Sequence, residues 1–175
     1  MFKKLFPYEY VKDVFSIDFE KLRLLGFKGI IFDIDNTLVF QDEDATKEVE
    51  ELFEALHSLG FKTVILSNNG EERVKRFLKN IDSPYICKAY KPFKSGYRKA
   101  ISIMGLKADE VLFIGDQLFT DVFGANRSGV ASVLVSYIKK DGVKPQFRRK
   151  LEERVLRKYR KSAELQNRLG GIEKS

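Results

Sequence analysis

The sequence predicts a doubly wound α/β sheet of parallel strands, and three observations carry that prediction. Short apolar runs alternate with amphipathic helical stretches between residues 29 and 135. The runs are rich in β-branched and aromatic residues and unbroken by polar ones, as in strands covered on both faces. Three of them end in small, polar or acidic residues: Asp33-Ile34-Asp35-Asn36-Thr37, Ser67-Asn68-Asn69-Gly70, and Gly115-Asp116-Gln117 with Asp121 shortly after. A sheet of this kind binds ligands beyond the carboxyl ends of its strands, where strand order reverses, so the three ends are expected to converge.

With 175 residues, 43% of them hydrophobic, the chain fits one packed domain. We expect a single Rossmann-like core over residues 1–138 with an N-terminal helical lead-in, and a basic C-terminal helix and tail over 139–175. Cys87 is the lone cysteine, which rules out a disulfide framework or a cysteine zinc site and agrees with a reducing cytoplasm. The start, Met1-Phe2-Lys3-Lys4-Leu5-Phe6-Pro7, reaches charge too early for a signal peptide, and no later run is long enough to span a bilayer. The formal charge of +7 is uneven: residues 139–175 hold 13 Lys and Arg against 5 Asp and Glu.

Taken in order, residues 7–15 place Tyr10, Val11, Val14 and Phe15 at helical spacing, and 19–25 form a second short helix with Asp18 as N-cap and Gly26 as stop. Both are expected to cover a sheet edge, with membrane contact of the aromatic and basic start as the alternative. The first sheet strand is Gly29 to Phe32, ending at Asp33. A helix follows with Val49, Leu52, Phe53, Leu56 and Leu59 on one face, closed by Gly60; then a strand over 62–67, a helix over 71–79 and an extended piece near 85–88. A helix over 95–104 closed by Gly105, a strand over 111–114, a helix over 120–128 closed by Gly129 and a strand over 131–135 complete the alternation. His57 and Cys87 read as ordinary boundary and core residues.

Asp33 and Asp35 leave a buried strand one residue apart, and adjacent like charges disfavour each other's ionisation, so core packing does not explain them. With the other strand ends they are parts for phosphoryl transfer through a carboxylate nucleophile. Asp33 is the expected nucleophile. A divalent cation, Mg²⁺ as the expected cofactor, would lie among hard oxygen ligands: Asp33, the backbone carbonyl of Asp35, Asp116 and, directly or through water, Asp121. The side chain of Asp35 is left to act as general acid and base. Ser67, Asn68 and nearby backbone N–H groups would hold phosphoryl oxygens, and Lys91 would offset their charge.

Asp33-x-Asp35-Asn36-Thr37-Leu38, Ser67-Asn68-Asn69, Lys91-Pro92 and Gly115-Asp116-Gln117-x-x-Thr120-Asp121 resemble the four ordered motifs of the haloacid dehalogenase superfamily of phosphatases. The wording around Asp116 and Gly124-Ala125-Asn126-Arg127 is similar to the small subfamily IIIA enzymes related to phosphatidylglycerophosphate phosphatase. Phe6-Pro7-x-x-Tyr10-Val11 and Phe147-Arg148-Arg149-x-Leu151-Glu152 extend that likeness. The resemblance implies a Mg²⁺-dependent phosphomonoesterase working through an aspartyl-phosphate.

In that superfamily cap domains are inserted after the first motif or between the second and third. Residues 39–62 and 69–91 are too short to fold as caps, so the crevice is expected to be open and to admit a phosphate on a large or surface-bound molecule. Phe147, Leu151, Val155 and Tyr159 recur at four-residue spacing beside Leu156, predicting an amphipathic C-terminal helix whose other face is basic. Three partners are open to it: its own domain, an anionic membrane, or nucleic acid, the last disfavoured because no nucleic-acid module is recognised. A lipid phosphate such as phosphatidylglycerophosphate would use both the open crevice and the basic face, placing a cytoplasmic protein peripherally on the inner membrane face. The alternatives are a nucleic-acid end or small-metabolite phosphatase, or a phosphoryl-receiver module without turnover.

Overall fold

The structure, a computed structural model, describes residues 2–138 and 147–174. Six parallel strands form one sheet: β1 (Glu9–Val11), β2 (Gly29–Phe32), β3 (Lys62–Leu66), β4 (Tyr85–Ile86), β5 (Val111–Gly115) and β6 (Ala131–Val135), in the order β1-β6-β5-β2-β3-β4. After β4 the chain returns across the sheet to lay β5 on the other side of β2. The reversal therefore falls between β2 and β5, whose registers pair Gly29 with Val111 and Phe32 with Ile114. That juncture carries Asp33 and Asp116 at its carboxyl end.

The helices are α1 (Phe19–Leu24), α2 (Lys47–Ser58), α3 (Glu71–Phe77), α4 (Lys94–Met104), α5 (Phe123–Arg127) and α6 (Phe147–Arg160). Their starts follow from capping chemistry: Asp18 accepts from Lys21 N at 2.9 Å, and Thr46 from Val49 N at 3.3 Å. Gly60 and Gly105 follow α2 and α4 with φ of +82° and +64°, the left-handed step that suits glycine. One face of the sheet packs against α1, α2 and α3 through Phe19, Leu22, Val49, Phe53, Val74 and Phe77; the other packs against α4 and α5 through Tyr97, Ala100, Met104 and Ala125. Each large apolar side chain so buried contributes about 2 kcal/mol.

Three expectations change. Residues 7–15 do not form a helix; β1 is an edge strand beside β6, with Glu9 and Val11 inward, followed by a 3₁₀ turn over Val14–Ser16. Parallel pairing satisfies this backbone, and with a strand of three residues the apolar spacing does not distinguish the two periods. The helix expected from residue 120 opens at Leu118 with a π-turn, Leu118–Val122, in which Asp121 N and Val122 N both donate to Gln117 O, at 3.0 and 3.1 Å.

The third change concerns α6. It docks on the domain through Glu152, Leu156 and Tyr159, in a cluster with Phe6, Leu118, Val122 and Leu134. Phe147 and Leu151 of the expected apolar stripe remain 75% and 36% exposed. The expected boundary at 138/139 adjoins residues 139–146, which lie outside the described set. Beyond α6 the chain returns to the N-terminal edge: Arg168 N donates to Tyr8 O at 3.0 Å, Glu9 Oε1 accepts from Leu169 N at 2.7 Å, and Ile172 is buried in the core. No described helix is long and apolar enough to cross a membrane.

Candidate active site

Asp33, the first residue after β2, is buried, and its Oδ1 accepts from Lys91 Nζ at 2.7 Å. The same ammonium lies 2.8 Å from Asp121 Oδ1. Oxygens of Asp33, Asp116 and Asp121 come within 4.8 Å of one another, all three residues buried. The π-turn brings Asp121 there, and its Oδ2 also accepts from Gln117 N at 3.1 Å. Gly115 makes the approach possible, because a Cβ at that position would lie 2.5 Å from Asp121 Oδ2. Thr37 donates to Asp116 Oδ1 at 3.4 Å.

Three carboxylates so close make ionisation costly. Burial first, and Asp121 with it, lift Asp33 to about 6 against the pull of Lys91. Burial again, together with Asp121 and Asp33, lifts Asp116 to about 8 against the attraction of Arg149. Lys91 is held protonated: burial alone would lower it, but Asp121 and Asp33 raise it above the ordinary lysine value. Buried hard oxygens that resist sharing an enclosure without a cation are a fitting donor set for a divalent ion such as Mg²⁺.

Asp35 points away from this cluster. Its carboxylate accepts from Asp42 N at 2.9 Å, from Arg73 Nη2 at 2.8 Å and from the Asn69 amide. Burial raises it, but these donors prevail and hold it below the usual carboxylate range. Two acids one residue apart thus occupy opposite electrostatic environments: burial and Asp121 oppose ionisation of Asp33, whereas its donors hold Asp35 ionised, ready to accept a proton and not to donate one.

Ser67 is buried beside them and its Oγ accepts from Asn69 N at 3.1 Å. The Asn68 side chain turns to the backbone of Lys91 instead of the crevice, with Oδ1 accepting from Lys91 N at 2.7 Å. Its side chain therefore sets the lysine rather than an incoming oxygen. His57, read from sequence as an ordinary boundary residue, lies 3.0 Å from Thr63 Oγ1 at the far end of the sheet. Cys87 is a free, half-buried thiol.

Arg73, Arg149 and Glu152 reach the candidate site without a role assigned to them from sequence: Arg149 and Glu152 fall in the family-like stretch Phe147-Arg148-Arg149-x-Leu151-Glu152, and Arg73 in none of the motifs. Arg149 reaches from α6 to the carboxylate of Asp116, donates through Nη1 to Asp116 O at 2.7 Å and to Glu152 Oε2 at 2.9 Å, and lies over the Tyr137 ring. Glu152 also accepts from Leu118 N at 3.0 Å, tying α6 to the π-turn. The i, i+3 pairing of Arg149 and Glu152 is a readable signal, but it is hidden among basic residues that look like a solvated face. Arg73, one turn into α3, has no such signal.

A family model described as haloacid dehalogenase-like hydrolase matches residues 39–129. The chain is 43% identical over 169 residues to a probable phosphatase, YqeG, of Bacillus subtilis, covering 95% of this chain and 98% of that one. It is 27% identical over 146 residues to the chloroplastic phosphatidylglycerophosphate phosphatase 1 of Chlamydomonas reinhardtii, covering 78% of this chain and 54% of the relative. Among solved structures, the cobalt-bound deoxy-D-mannose-octulosonate 8-phosphate phosphatase of Haemophilus influenzae superposes with a TM-score of 0.52 at 15% identity, over 78% of this chain and 90% of that one, a likeness of fold. With four sequence motifs meeting at one strand reversal and a relative matched from end to end, the chain belongs to the haloacid dehalogenase-like hydrolase family and is an enzyme of its phosphatase kind.

Proposed function

We propose that this phosphatase is a Mg²⁺-dependent phosphomonoesterase acting on a lipid-borne phosphate such as phosphatidylglycerophosphate. One observation carries the chemistry: Asp33 ends β2 inside a cluster of three buried carboxylates and on Lys91, while Asp35, two residues on, is held outside that cluster. Asp33, the carbonyl of Asp35, Asp116 and Asp121 would hold the cation, which when bound supplies charge stabilisation for the phosphoryl group. The Asp33 carboxylate attacks phosphorus, forming an aspartyl-phosphate as the ester oxygen departs. Asp35, which its donors hold ionised in the resting site, must first leave Arg73 and Asn69 and take up a proton; it then gives that proton to the departing oxygen and takes one back from the water that cleaves the acyl-phosphate. Ser67, backbone N–H groups at the β3 end and Lys91 hold the phosphoryl oxygens.

Support for the lipid substrate comes from two sides. Only α2 separates β2 from β3, and only α3 and the short β4 separate β3 from α4, so neither insert forms a cap over the crevice. Relatives at 27% and 28% identity are named for phosphatidylglycerophosphate, although the chain spans only about half of their length or less. A lipid substrate places the enzyme in the cytoplasm, peripherally at the inner membrane face.

The test is turnover of phosphatidylglycerophosphate in detergent beside sugar phosphates, nucleotides and end-phosphorylated oligonucleotides, with and without Mg²⁺. The lipid should lead by at least tenfold in kcat/KM; preference for an oligonucleotide end or a small metabolite overturns the substrate. Asp33→Asn should abolish turnover with Mg²⁺ present, and full activity in that variant overturns the mechanism.

A further inference from the structure

Seven large hydrophobic side chains are exposed among the described residues, and they fall into two groups. Leu24, Leu25 and Ile103 sit where α1 and α4 end, at the side from which the strands start. The other four are chain neighbours of the two cations that reach the carboxylates. Tyr90 and Phe93, each 68% exposed, flank Lys91; Phe147 and Leu151, 75% and 36% exposed, flank Arg149. Each cation that reaches the carboxylate cluster, Lys91 buried and Arg149 partly buried, is thus preceded and followed in the chain by apolar side chains left in water.

These positions are built to stay outward. Tyr90 has a φ of 51° and Lys88 of 44°, a left-handed conformation that side-chain-bearing residues rarely adopt. Phe93 N closes the turn on Tyr90 O at 2.9 Å, and the Asn68 side chain pins Lys91 between them. On α6, Arg149 reaches Asp116 while Glu152 and Leu156 are buried, which turns Phe147 and Leu151, two residues to either side of Arg149, out of the interface. Exposed basic residues stand beside both pairs: Lys88 next to the turn, and Arg148, Lys150 and Arg154 on α6. Nearby acids have partners: Glu153 pairs with Arg160 at 2.6 Å, and Asp42 and Asp44 with Arg76 at 2.7 Å.

We infer that these exposed side chains make up a membrane-docking surface: Tyr90, Phe93, Phe147 and Leu151 enter the interfacial layer of a bilayer carrying anionic headgroups, with the basic residues against those headgroups. Aromatic and aliphatic side chains set among lysines and arginines have the composition of interfacial segments. Leu151 offers no ring face for base stacking, which favours a lipid surface over a nucleic-acid strand. The inference rests on the lipid-phosphate reading of the same site and adds the surface by which that substrate is met.

The test uses the full chain and vesicles of phosphatidylglycerol in phosphatidylcholine at low salt, beside phosphatidylcholine alone. Cosedimentation is expected with the anionic vesicles, and Tyr90→Ser/Phe93→Ser or Phe147→Ser/Leu151→Ser should each weaken it about tenfold while leaving hydrolysis of soluble p-nitrophenyl phosphate unchanged. The chain has no tryptophan, so Phe93→Trp supplies a single indole reporter, expected to shift to the blue and to be quenched by brominated lipid. Unaltered sedimentation of both double variants, an unquenched indole in Phe93→Trp, or tighter binding to a single-stranded oligonucleotide than to the vesicles overturns the inference. Because these vesicles contain no phosphomonoester, their binding is decided apart from turnover: hydrolysis of the lipid phosphate in detergent without vesicle binding defeats the docking surface alone, and the reverse defeats the substrate alone.

Discussion

Lys91 and Arg149 answer the same electrostatic problem from two sides of the crevice. Lys91 lies close to two carboxylates, those of Asp33 and Asp121, and belongs to a short turn fixed by Asn68. Arg149 meets only Asp116, comes from a helix 33 residues further along the chain, and leans on Glu152 and Tyr137 for its own position. The first cation is internal to the crossover that builds the site. The second is delivered by packing of a separate element, so the integrity of the carboxylate cluster depends on the docking of α6. The difference separates chemistry from support: Lys91 is within reach of Asp33, the proposed nucleophile, whereas Arg149 reaches only Asp116 of the three clustered acids.

Four measurements bear on this contrast. Lys91→Ala should lower kcat/KM by about 10³, as loss of a principal charge stabiliser does, with a fall in Tm because two buried carboxylates lose their partner. Arg149→Ala should cost less in turnover, about 10- to 100-fold, but about 3 kcal/mol in stability by urea unfolding, since it releases both Asp116 and Glu152. If Arg149→Ala lowers kcat/KM as far as Lys91→Ala, the two cations are equivalent and the contrast fails.

The third concerns pH. Asp116 stands at about 8 in the folded chain, above its ordinary value of 3.8, so the folded state holds a proton that the unfolded state releases. Its contribution to stability is present below pH 4 and is lost as pH rises through 8; Asp33, at about 6, acts in the same sense. Metal-free Asp116→Asn should therefore lose less stability than the parent between pH 5 and 8, a difference readable by calorimetry. The smallest effect belongs to Arg76, half exposed and paired to surface acids: Arg76→Ala should change stability by no more than about 0.5 kcal/mol, with turnover unchanged.

What can be read from the chain follows the range of the interactions concerned. β2, β3 and β5 are buried on both faces, so their composition announces them, and Asp33, Ser67 and Asp116 follow directly from where those strands stop. β1 escapes such a reading because three residues at an edge carry too little pattern to distinguish a strand from a helix. Arg149 and Glu152 are hidden for another reason: a basic helix with an apolar spacing of four looks solvated on its charged side, and only the tertiary packing shows that one arginine and one glutamate turn inward. The same rotation leaves Phe147 and Leu151 outside, against the expectation from spacing alone.

The return of residues 168–173 to the strand at Glu9 has a consequence for how the molecule is made. β1 is synthesised first, yet its neighbour β6 and its contact with Leu169 come from residues that emerge more than a hundred positions later. Contacts of such long separation form late and slowly. A nascent chain ending near residue 138 would already carry Asp33, Lys91, Asp116 and Asp121, but would lack Arg149 and Glu152 and the buried Ile172. During translation the three acids are thus made before the arginine that restrains Asp116, and the contacts of α6 with the cluster can form only after residues 147–160 have emerged.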